Sequence, residues 1–232
     1  MLHGVSQKPF PAFSEEYNIM DSLPSIDRNQ AFRYMGLHTS PDEQFRNLAD
    51  ACEKKLLSAV SPRYCYKVFP KQSLHTLLIG NDIQNHLKNC DTVILFCATL
   101  SQGADTCIRL AQAGDVLAGM MTDAMASALT EQFCDIAEHE ILSQFDGKFP
   151  TWRFSPGYGD MPLSVQEMFL KVIDAERRTG VCVSESGLLI PRKSVTAVIG
   201  LSESPLPRAK KGCAICNLSK TCPYRAKGAH CS

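Results

Sequence analysis

The chain of 232 residues carries no excess of charge of either sign: 24 Lys and Arg balance 24 Asp and Glu. That balance excludes nucleic acid or an anionic membrane surface as a partner held by bulk charge. No apolar run approaches the ~20 residues needed to span a bilayer. A signal core is missing too, since Phe10-Pro11-Ala12-Phe13 is interrupted and Glu15-Glu16 follows at once. No Gly-x-Gly-x-x-Gly follows a strand pattern, which argues against a Rossmann-type methyltransferase or dehydrogenase. No Ser/His/Asp or Cys/His signature is visible, and His38, His75, His86 and His139 are scattered singly, as surface or core residues are. These absences predict a cytoplasmic globular protein. In that reducing compartment the 11 cysteines are read as buried thiols or metal ligands rather than disulfides.

What is present supports a core: 44% of the residues are hydrophobic. Residues 1–24 hold several prolines and no periodicity, and read as a flexible N-terminal arm. Ser40-Pro41-Asp42-Glu43 predicts a helix start with Ser40 as cap, followed by Phe45, Leu48, Ala49, Cys52, Leu56 and Val60 at helical spacing until Ser61-Pro62. Tyr64, Tyr66 and Val68 alternate like a half-buried strand, whereas 92–98 is continuously apolar, like a strand covered on both faces. A long helix is predicted over 116–144, with Leu117, Met121, Ala124, Ala128 and Ile136 on its buried side and its methionines as packing residues. Ser164 with Glu167 predicts a capping box, opening a helix that stops at Gly180, and a strand follows over 194–201. Helices and strands interleave without a regular βαβ repeat, so the fold class is α+β.

The most informative stretch is Arg153-Phe154-Ser155-Pro156-Gly157-Tyr158. Proline fixes φ and glycine accepts a positive φ, so Pro156-Gly157 forces a turn. Arg153 before it offers a two-pronged grip for a carboxylate, and Tyr158 after it adds one donor on a flat apolar body. On local chemistry alone, a structural turn with Arg153 in a surface salt bridge is the commoner arrangement.

The order of motifs around the turn favours a ligand. After it come Gly159-Asp160-Met161-Pro162, a helical stretch to Thr179-Gly180, then Ser184-Glu185-Ser186 and Ser194-Val195-Thr196. This resembles the activation domain of vitamin B12-dependent methionine synthase, which binds S-adenosylmethionine (AdoMet). The resemblance spans residues 25–203 and is strongest over 115–203. It implies a twisted antiparallel sheet bordered by helices. It also implies that Arg153 pairs with the ligand carboxylate, that Ser155 contributes backbone hydrogen bonds, and that Tyr158 packs near the sulfonium. Ile26-Asp27 with Phe32 matches a family segment whose Asp partners the ligand ammonium, although Asp27 also reads as an ordinary helix cap three residues before Gln30, the simpler reading.

The implied role is repair. A corrinoid methyltransferase occasionally oxidised from cob(I) to cob(II) is rescued by one electron and a methyl group from AdoMet. No Asp-x-His-x-x-Gly occurs around any histidine, so the corrinoid (cobalamin) would belong to a partner, such as a methionine synthase lacking its own activation domain. An electron donor is also required. Two other readings stand beside it: an AdoMet-sensing or docking module without chemistry, or an electron-transfer protein working through its C-terminal tail.

That tail begins with the linker Ser204-Pro205-Leu206-Pro207 and lies outside the resemblance. Cys213, Cys216, Cys222 and Cys231 crowd there with spacing C-x2-C-x5-C-x8-C, and His230 is an alternative fourth ligand. So short and polar a segment orders most easily around a metal. A single C-x2-C pair and Pro223 directly after Cys222 lean toward an iron–sulfur cluster over zinc.

Overall fold

A computed structural model describes residues 25–37 and 42–206. Seven helices and six strands occur among these residues: α1 (Arg28–Tyr34), α2 (Glu43–Ala59), β1 (Arg63–Pro70), α3 (Asn81–His86), β2 (Thr92–Thr99), α4 (Gln102–Gly114), α5 (Val116–Leu142), β3 (Phe149–Pro150), α6 (Gln166–Ile173), α7 (Ala175–Thr179), β4 (Cys182–Val183), β5 (Leu189–Ile190) and β6 (Ser194–Ser202). Four strands form an antiparallel sheet in the order β1-β2-β6-β3, and β4-β5 is a separate hairpin.

Period-two alternation in β2 assigns its side chains to two cores. Ile94, Phe96 and Ala98 join Tyr64, Tyr66, Met121, Met125 and Phe133 under α2 and α5. Val93, Leu95 and Cys97 meet Ile83, Phe169 and Ile173 on the opposite side. Helices therefore cover both faces of the sheet, which is why 92–98 is apolar without a break. The α+β class and the antiparallel sheet bordered by helices are those expected. Among the described residues, no helix is long and apolar enough to cross a membrane.

Several local expectations give way to tertiary packing. β1 is not half-buried at its start, because Cys65 is as buried as Tyr64 and Tyr66, beneath the second helical layer. The cap of α2 is Asp42, whose carboxylate accepts from Phe45 N at 2.8 Å; Ser40 lies outside the described residues. Leu117 is 42% exposed, whereas Met121, Ala124 and Ala128 are buried as expected. Of the α5 methionines, Met121 and Met125 are packed and Met120 is exposed.

The helix predicted up to Gly180 is two helices. Val165 precedes α6 in an αR conformation inside a short 3₁₀ turn, so Ser164 never takes the extended cap geometry, and Glu167 pairs with Lys171 instead. The break falls at Asp174, in the left-handed region at φ 59°, a conformation Asp tolerates, and its carboxylate accepts from Arg177 at 2.6 Å.

Candidate functional site

The turn grows out of the sheet. Phe154 bridges to Val198 of β6 through backbone hydrogen bonds of 3.0 and 2.7 Å in both directions. Alternation along 152–154 sends Trp152 and Phe154 into the second core, so Arg153 between them faces the other way, toward α5. The turn then closes with Tyr158 N donating to Ser155 O at 3.0 Å, and Gly157 takes φ 89°. Proline second and a positive-φ glycine third is the sequence a type II turn requires.

A latch to α3 fixes the far side of the turn. The Asp160 carboxylate accepts from Asn81 N and Asp82 N at 2.7 and 2.9 Å, standing in for a cap that Gly80 has no side chain to provide. Asp82 reciprocates by accepting from Asp160 N at 3.1 Å. The approach is close enough that a Cβ at Gly159, itself at φ 54°, would sit 2.2 Å from Asp82 Oδ2. These backbone hydrogen bonds hold the Asp160 carboxyl below its usual range.

Arg153 is not a free cation. Its guanidinium contacts Asp135 at 2.7 Å, Glu131 at 3.4 Å, and Glu138, all on α5. Burial opposes its charge, and the hydrogen bond to Asp135 with the field of Glu138 outweighs that, so its pKa lies above the ordinary value. The arginine side chain is 17% exposed, Asp135 72%, Glu131 49% and Glu138 21%. The salt-bridge arrangement is thus realised, but at a half-covered site. The three acids follow i, i+4, i+7 spacing on one face of α5, a signal the sequence carries and that reading α5 only for its buried side overlooks.

Asp27 makes the helix cap, accepting from Gln30 N at 3.0 Å. Its own N–H donates to Gln132 Oε1 at 2.9 Å, and Gln132 Nε2 donates to Ser25 O at 3.1 Å. From α2, the Glu53 carboxylate accepts from Ile26 N at 3.2 Å and from Arg28 Nε at 2.6 Å. Because Gln132 adjoins Glu131 on α5, the segment carrying Asp27 is tied to the helix that carries Arg153's partners. Tyr34, on the same segment, feels Glu131 and Asp27: burial raises its phenol, the hydrogen bond from Gln30 opposes that, and the two acids add smaller upward pushes.

Tyr158 is 56% exposed, its ring 6.2 Å from Phe154. Leu163 lies beneath this turn and beneath the β4–β5 turn, within 3.4 and 3.3 Å of where Cβ atoms on Gly157 and Gly187 would be. Leu163 and Leu188 are exposed, so apolar side chains are presented along both of the turns that Leu163 adjoins. The Ser184-Glu185-Ser186 motif forms the hairpin turn, with the Ser184 and Ser186 hydroxyls 2.9 Å apart.

His86 packs edge-on against Trp152, centroids 4.4 Å apart, and its Nε2 donates to the Trp152 carbonyl at 2.9 Å. Burial lowers its pKa and that hydrogen bond only partly offsets the effect. The folded protein therefore keeps His86 neutral where an unfolded chain takes up a proton. Its contribution is complete above the unfolded value of about 6.5 and diminishes as pH falls from there toward the depressed folded value. Urea midpoints of the wild type should fall more between pH 7.5 and 5.5 than those of His86→Gln; equal slopes would contradict this.

The Cys213, Cys216, Cys222 and Cys231 cluster and His230 lie outside the described residues. Among the described residues, no group of three or more His, Cys, Asp or Glu side chains is placed to hold a metal ion. The seven described cysteines are free thiols.

These features define an α+β domain with an antiparallel sheet between helical layers, one edge of which carries a guanidinium set among carboxylates beside a rigid Pro-Gly turn. Among solved structures the chain is similar to the crystal structure of the MetH reactivation domain bound to AdoHcy, with a TM-score of 0.59 and 17% identity over 85% of this chain and 80% of that one. At that identity the likeness establishes the fold. No protein-family model matches the chain, and no curated protein matches it.

Proposed function

We propose that this chain binds AdoMet at the Arg153–Tyr158 turn and serves as an accessory protein for reductive remethylation of a separate corrinoid-dependent methyltransferase. The observation that carries the reading is the charge pattern around Arg153: one guanidinium among Glu131, Asp135 and Glu138, with Asp27 tied to the same helix. An amino acid head group is a zwitterion, and such a mixed cluster can answer both of its charges. The ligand carboxylate takes Arg153, displacing Asp135, the most solvent-exposed of the three partners. The ammonium then takes the carboxylates left in excess, Glu131 and Asp27 among them. Ser155 belongs to the turn through its backbone, and Tyr158 offers its face and hydroxyl to the rest of the ligand. The neighbour's bound AdoHcy, the demethylated form of AdoMet, supports this choice of ligand.

The chemistry implied is methyl donation. AdoMet's positive sulfur makes its methyl electrophilic, and that methyl with one electron restores an oxidised corrinoid on the partner, leaving AdoHcy. This chain's part is to hold the methyl in line at an accessible face. The exposed side chains of Tyr158, Leu163 and Leu188 suit the face of a corrin ring arriving there, whose peripheral amides would stay in solvent. In this reading the cysteine tail, as an iron–sulfur cluster or a zinc site, is the element by which an electron donor or partner engages. Metal analysis of anaerobically purified protein tests that part separately, and zinc alone excludes electron entry through the tail.

Calorimetric titration of AdoMet into the full chain is the test. Saturable binding is expected, followed by AdoMet-dependent methylation of a reduced corrinoid partner. No binding would overturn the reading, while binding without methyl transfer would leave a sensing or docking module.

A further inference from the structure

Leu110 and Val116 are each 67% exposed, Met120 54% and Leu117 42%, all within eleven residues of the α4–α5 hairpin. Single exposed apolar residues are ordinary, but three on the first turn and a half of one helix with a fourth on the adjoining helix mark a contact surface. The hairpin that presents them is tightly built. Asp115 alone separates the two helices, and α4 approaches so closely that a Cβ on Gly119 would lie 2.7 Å from Gln112 Cα. Ala113 and Gly114 at its tip leave no bulky side chain to hold a partner away.

We propose that this hairpin is a homodimer contact whose occupant is a second copy of the chain. The charges single out that occupant. Between Thr106 and Thr122 the only ionised side chains are Arg109 and Asp115, one of each sign. Arg109 forms no ion pair among the described residues. Asp115 caps α5 through Oδ1, which accepts from Leu117 N at 2.7 Å and Ala118 N at 3.2 Å, and neither bond uses Oδ2. A two-fold axis through the apolar centre brings Arg109 of each copy toward Asp115 of the other, as an isologous contact demands. A partner with one sign of charge would meet repulsion at one edge of the patch. The clamp stays clear of this contact: Glu131 lies eleven residues beyond Met120 on α5, roughly 16 Å along the helix.

Sedimentation velocity on the full chain across the micromolar range tests the proposal. The wild type should show a concentration-dependent dimer. Met120→Glu should raise the dissociation constant at least ~10-fold, as expected for a central apolar anchor. Arg109→Asp should weaken the dimer as well, which apolar stickiness alone would not produce. Both positions are exposed, so the variants should keep the wild-type circular dichroism spectrum and AdoMet titration. A wild type that stays monomeric overturns the proposal, whatever covers the patch instead, residues 1–24 included. So does a dimer indifferent to both substitutions.

Discussion

Arg153→Ala is expected to weaken AdoMet binding by about 2–4 kcal/mol, or ~30- to ~900-fold, the range for removing one member of a covered charge pair. Two losses combine. The ligand carboxylate has no partner, and Glu131, Asp135 and Glu138 are left as three acids beside it with no cation. Arg153→Lys keeps the charge but loses the planar two-pronged grip, so an intermediate loss is expected. Thermal unfolding of both variants should accompany the titration. Asp135 and Glu131 can relax into water and only Glu138 stays covered, so folding should suffer less than binding. Unchanged affinity in Arg153→Ala would show that the motif does not hold the ligand.

Phe96→Ala should give the largest loss of stability, about 3–5 kcal/mol for a fully buried aromatic. Phe96 is completely buried at the middle of β2, with Tyr64 centred 6.4 Å away and Phe133 of α5 in the same cluster. β2 is hydrogen-bonded to strands on both sides and covered by helices on both faces, so the cavity cannot collapse by moving an edge. The thermal midpoint should drop by about 6–20 °C, taking 2–4 °C per kcal/mol for a domain of this size. Equilibrium urea unfolding gives the free energy directly. A cost below about 1 kcal/mol would contradict a core assembled around this residue.

Much of the architecture is written locally. The continuous run over 92–98 declares a strand covered on both faces, and the structure supplies a helical layer for each. Pro156-Gly157 determines its turn because proline restricts one φ and glycine alone accepts the other at little cost. The length of α5 follows from its apolar spacing, and its start from an aspartate that caps in place. Gly180 ends α7 in the left-handed conformation, as a terminal glycine should.

The charge environment of the clamp was not legible in the same way. The sequence by itself determined that Arg153 stands before a rigid turn, since steric limits on proline and glycine act within a few residues. Only the tertiary structure decided what that guanidinium faces. Strand alternation at Phe154 and the seat of α5 on the sheet together bring it to Glu131, Asp135 and Glu138, which are 15 to 22 residues distant in the chain. The same holds for Asp160 capping α3 across 78 residues, and for Glu53 and Gln132 seating the segment of Asp27. Ser164 and Glu167 fit a capping box in sequence, yet the 3₁₀ turn in front of α6 removed the backbone geometry it needs. Local sterics act through bonded neighbours and can be read along the chain. Electrostatic and hydrogen-bond partners are chosen by packing, because a charge pairs with whatever the fold carries to within a few ångströms of it.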